Sequence, residues 1–142
     1  MKKLIVGIVV LAFWAGTGLC FAEADIPSMV GTWSIKSEGA VIAKNDSEPG
    51  AKTHHSGDFS SISAEVVVTK QKGRVFHGTF TTSKGSEAFI GVIGMDNKSI
   101  FTSDEDGFSE GKIVGKNKIT CVYRHSTPVD SVIAVATWTR KK

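Results

Sequence analysis

Residues 62–95 run ISAEVVVTK QKG RVFHGTFTT SKGS EAFIGVIGM. In the first block Ile62, Ala64, Val66 and Val68 alternate with Ser63, Glu65, Val67 and Thr69. A period of two puts the first set on one face of a strand and the second on the other. Gln71-Lys72-Gly73 then reverses the chain, because Gly73 is free to take a positive φ. In the second block Phe76, Gly78 and Phe80 share a face opposite His77 and Thr79. In the third, Phe89, Gly91, Ile93 and Met95 share one. These are three strands joined by tight turns, with no helical periodicity in any of them.

The same grammar continues in both directions. Towards the C-terminus it predicts strands over Ser99–Ser103, Phe108–Gly115, Lys118–His125 and Ser131–Arg140. Turns fall at 96–98, 104–107, 116–117 and 126–130. Ile119, Cys121 and Tyr123 share a face of one strand, and Val132, Ala134, Ala136 and Trp138 a face of the next. Towards the N-terminus, Met29–Ser37 places Gly31, Trp33 and Ile35 together, and Gly39–Ala43 is expected to form a further strand after a bend at Gly39. Between these ends lies Lys44–Ser60, a polar stretch with almost no apolar residue. It reads as a long, mobile loop. The strand step of about 10–13 residues suits a sandwich or barrel. In-strand glycines at 78, 91, 94 and 111 suit the bends of a small barrel. The predicted fold class is all-β: an antiparallel up-and-down meander closed into a barrel of about eight strands.

Residues 1–24 stand apart. Lys2 and Lys3 precede an apolar run over Leu4–Trp14, and Ala22-Glu23-Ala24 carries small residues where a signal peptidase reads. The pattern predicts a signal peptide over 1–24, a single domain over 25–142 and a periplasmic or secreted location, with no membrane attachment after cleavage. A lipoprotein reading through Cys20 ranks lower, because Leu19 stands where a small residue is wanted. Cleavage removes two lysines and one glutamate, which lowers the net charge from +3 to +2. That charge is mild and its basic residues are scattered, so a nucleic-acid partner is not expected. Cys121 then has no internal disulfide partner and reads as a buried thiol.

The tripeptide Gly31-Thr32-Trp33 resembles the G-x-W signature of the calycin superfamily, which holds the lipocalins, avidins and fatty-acid-binding proteins. In lipocalins that tryptophan plugs the barrel base, and an arginine of the last strand packs over it. The resemblance implies that Arg140 stacks on Trp33. The lipocalin T-D-Y motif and a C-terminal helix pattern are absent, and only Trp138 offers a counterpart to the tryptophans that flank biotin in avidins.

The chemistry-bearing candidates are few. His54, His55 and Asp58 read as solvent-exposed, since neighbours in an extended loop point apart. Asp104-Glu105-Asp106-Gly107 reads as an acidic turn, because no downstream glutamate sits at calcium-loop spacing. His77, Tyr123, Arg124 and His125 are polar groups on strands. His77 and Arg124 are expected in solvent and Tyr123 inside. No nucleophile–base–orienter set is evident, so no catalytic residue, metal ligand or cofactor is assigned. The expected ligand-facing interior is Trp33, Phe76, Phe80, Phe89, Tyr123 and Trp138, with Gly78 and Gly91 leaving room. An eight-stranded barrel either fills with side chains or holds one small ligand. Three functions follow in order: an exported barrel binding a small, partly apolar molecule, an interaction or inhibitor module with a filled core, and a small barrel enzyme.

Overall fold

The computed structural model describes residues 25–43 and 59–142. The expected signal peptide, the stretch 44–58, and His54, His55 and Asp58 within it lie outside the described residues. Eight strands follow in order: β1 Gly31–Ala43, β2 Phe59–Lys72, β3 Val75–Thr82, β4 Gly85–Ile93, β5 Ser99–Ser103, β6 Gly107–Gly115, β7 Lys118–Ser126 and β8 Asp130–Arg140. Each pairs antiparallel with the next, and β1 pairs with β8 to close the barrel. All-β architecture, meander and closure agree with the alternation and turn spacing of the sequence.

Three local expectations change. Gly39 is no break, since β1 runs through it and pairs with both β2 and β8. A Cβ there would stand 2.5 Å from the Ile133 carbonyl oxygen, so glycine lets the β8 backbone approach closely. The predicted loop ends earlier, because Phe59 and Ser60 already belong to β2. Met95 is 85% exposed rather than inside. The Gly94 amide bonds to the Ser99 carbonyl and the Asn97 amide to the Gly94 carbonyl, which turns the chain before Met95. Asn97 takes the left-handed φ of 55° that this turn requires.

The register sets two ends. Trp33 lies opposite Val66 and Arg140, Phe76 opposite Gly91, Ile93 opposite Ile100, and Ile119 opposite Trp138. These inward positions form the buried core at one end, the base. Beneath them the lead-in 25–30 crosses the opening and inserts Met29, which is fully buried. Gln71 fastens this lead-in by accepting from the Met29 amide at 2.6 Å and donating to the Pro27 carbonyl at 2.9 Å. The other end is the mouth, ringed by the β3–β4, β5–β6 and β7–β8 turns and by Ala43 and Phe59.

Candidate functional site

At the base the tryptophan–arginine expectation holds in geometry. The Arg140 guanidinium carbon lies 4.0 Å from the centre of the Trp33 ring, inside cation–π range. Its nitrogens donate to the Val30 and Ser28 carbonyls, and the Trp33 indole donates to the Met29 carbonyl at 2.9 Å. One arginine therefore closes the last strand, the first strand and the lead-in together.

Above this plug the expected interior residues divide. Trp33, Phe76, Phe89 and Trp138 form one buried chain of edge-to-face rings. Centroid separations are 6.4 Å for Trp33–Trp138, 6.0 Å for Phe89–Trp138 and 6.2 Å for Phe76–Phe89. Phe80 packs against that cluster but stays partly exposed. Tyr123 is in neither group and stands nearer the mouth. The glycines leave no room: a Cβ at Gly91 would fall 2.2 Å from the Phe76 ring, and one at Gly78 would fall 2.2 Å from the Val67 carbonyl oxygen and 3.0 Å from the Phe89 ring. Glycine at 91 admits an aromatic ring, and glycine at 78 admits the β2 backbone; neither keeps space empty.

The inward positions of the mouth half differ from those of the base. Ser37, Ala64, Phe80, Thr102, Ser109, Tyr123, Ala134 and Ala136 are all partly exposed, while Val41, His125 and Asp130 are buried; in the base half the inward positions are buried except for the partly buried Ile113. Apart from Phe80, which belongs to the floor, the partly exposed side chains are small or polar, so they line a cup whose apolar floor is the ring cluster. Cys121 sits near that floor, and burial pushes its thiol up to about 11, which keeps it protonated and inert.

One wall of the cup carries a polar chain. Tyr123 donates its hydroxyl to Asp106 at 3.2 Å, and its ring lies over Gly107. His125, 4% exposed, places Nδ1 3.0 Å from the same Asp106 oxygen and Nε2 2.7 Å from Asp130. Thr127 donates to Asp130 at 2.6 Å and its hydroxyl accepts the Asp130 amide, which shapes the β7–β8 turn. Burial alone would lower the imidazole pKa. The hydrogen bonds and charges of Asp130 and Asp106 outweigh it, and the net shift is upward. Tyr123 is pushed well above its ordinary value by burial first and then by Asp104, Asp106 and Glu87. The Tyr123 hydroxyl therefore keeps its proton near neutrality, the imidazole keeps its second proton to higher pH than an ordinary histidine, and both imidazole nitrogens already face carboxylates.

His77 and Arg124 face solvent, as alternation implies. His125 was visible only as a strand histidine. Its parity with Cys121 and Tyr123 points it inward, but its two partners come from turns, and alternation does not reach across turns. Among the described residues no three His, Cys, Asp or Glu side chains are arranged to hold a metal ion. A concavity of about 910 Å³ is bordered by residues of both faces of the wall, among them Lys36, Glu38 and Lys112 on the outer face and Ser37, Cys121 and Ala136 on the inner. No family model matches the chain, and no curated protein matches it in sequence.

Proposed function

We propose that this chain is an exported, calycin-like barrel that binds a small molecule in the cup of its mouth half. The observation that carries the reading is the contrast between a base whose inward side chains, Ile113 apart, are buried and a mouth half whose inward side chains, apart from Val41, His125 and Asp130, remain partly exposed. Phe80, Phe89 and Trp138 offer an apolar floor to the body of the ligand. The polar wall favours its charge. Among the described residues, the charged inward strand positions of the mouth half are Glu87, His125 and Asp130. The β5–β6 turn adds Asp104 and Asp106, and the His125 charge is already matched by Asp106 and Asp130. A protonated amine on an apolar body suits this wall, and a carboxylate of the same shape meets repulsion.

The paired probes 2-phenylethylamine and 3-phenylpropanoate test it by isothermal titration against the full chain. The amine binds, and the carboxylate binds about tenfold more weakly or not at all. Equal binding, or binding of neither, rejects the reading. An interaction module with a filled core draws its support from the base alone, where a ring occupies the space over Gly91 and the β2 backbone that over Gly78. Enzyme chemistry is less supported, because neither nitrogen of His125 is turned towards the cup without a carboxylate partner.

A further inference from the structure

His125 joins two turns that the strand ladder does not join directly. Asp106 belongs to the β5–β6 turn, and Asp130 stands at the head of β8. The β5–β6 hairpin has little hold on its other side. Only Ile90–Ile93 of β4 pair with β5, so Gly85–Phe89 rise above it with no β5 partner. The mouth rim is therefore low at the β5–β6 turn, and on its β7 side Asp106 reaches His125 and Tyr123.

We propose that His125 is a proton-operated latch on the cup, whose imidazolium ties the β5–β6 turn to the β7–β8 turn and whose neutral form lets the β5–β6 turn go. The chemistry follows from counting donors. An imidazolium has two N–H groups and meets both carboxylates, whereas a neutral imidazole has one and must leave a carboxylate unpaid. The Asp130 side chain is 2% exposed and that of Asp106 is 25% exposed. Loss of the partner costs more at the drier carboxylate, so the remaining proton stays on Nε2 with Asp130 and the Asp106 tie breaks. The groups facing His125 among the described residues are Asp106 from the β5–β6 turn, Asp130 from β8 and Tyr123 from β7. β1 presents the uncharged Val41 opposite Val132. Asp104 and Glu87 act on Tyr123 beside it. Each of these carboxylates favours the proton, in keeping with an imidazole pKa above the ordinary 6.5. The latch is therefore shut below the ordinary 6.5 and opens as pH rises through the raised value. It requires no ligand, so it stands or falls separately from the binding reading.

The experiment is a pH titration of the isotope-labelled full chain by nuclear magnetic resonance, from about pH 5.5 to about pH 9. The His125 ring signals are expected to titrate with a midpoint above 6.5. The amides of Glu105 and Asp106 move with that midpoint, while those of Thr127 and Val129 stay. Asp106→Asn keeps the fold, shown by unchanged indole signals of Trp33 and Trp138. It lowers the midpoint by about 1 pH unit and uncouples residues 104–106 from it. A midpoint at or below 6.5, or 104–106 amides that ignore the His125 titration in the unmodified chain, overturns the latch. So does movement confined to the β7–β8 turn.

Discussion

Trp33 gathers packing, a hydrogen bond and a cation on one side chain, and its neighbours divide those roles. Its removal leaves a large void between Met29, Trp138 and the Arg140 stem. Trp33→Ala is expected to cost about 3–5 kcal/mol. Arg140→Ala loses the stacking and the bonds to the lead-in carbonyls, on the order of 1–2 kcal/mol. Because both residues share one interface, the double variant is expected to cost less than the sum, which urea unfolding of the four proteins measures. Additive losses would mean that the stacking contributes nothing. Gly91→Ala tests the opposite kind of fit. Its methyl group enters the Phe76 ring, so a loss of about 1–3 kcal/mol is expected from the same measurement. The Trp33–Arg140 pairing was legible because a family resemblance tied two distant positions. The Phe76–Gly91 fit was not, since glycine parity in a strand says where a residue points and nothing about what fills the space before it.

The strands are held to each other unequally. β1 and β8 share eleven registered pairs and β4 and β5 share four, so the β4–β5 seam is the first place for the wall to open. Amide exchange is expected to be faster at Ile100–Thr102 of β5 than at Ile35–Ser37 of β1. The reverse order would place the weak seam elsewhere. The lead-in is held by side chains instead of a ladder. Gln71→Ala removes its bonds to Met29 and Pro27 and is expected to cost about 1–3 kcal/mol, with faster exchange of the Met29 amide. Alternation located these elements well, and their ends less well. Met95 keeps the parity of Ile93, but the hydrogen bonds of Gly94 end the strand before it. Gly39 resembles a break by composition, yet it continues a strand because β8 needs the space a side chain would take.

For the molecule as a whole, period-two patterning and turn spacing were sufficient to state a closed meander. They were silent on whether it is full, since Phe89 and Ser109 satisfy the same parity while one forms the floor and the other lines the wall. His125 makes stability a function of pH in a definite direction. Its folded pKa lies above the ordinary 6.5, so its contribution is complete below 6.5 and is lost as pH rises through the folded value. Urea midpoints are expected to fall over that window and to fall less in Asp106→Asn. Export predicts a mature chain that starts at Asp25, checked by N-terminal sequencing of periplasmic or secreted material, and retention of Met1 there would reject it. The β1–β8 seam carries a further consequence, in the order of synthesis. β1 is made early, and its second neighbour is the last strand of the barrel, so no partial chain can complete the wall. Pairing of such distant segments is slow relative to local hairpins. A growing chain therefore cannot close its barrel until β8 has been made, and the last hairpin to form is also the one that seals the wall.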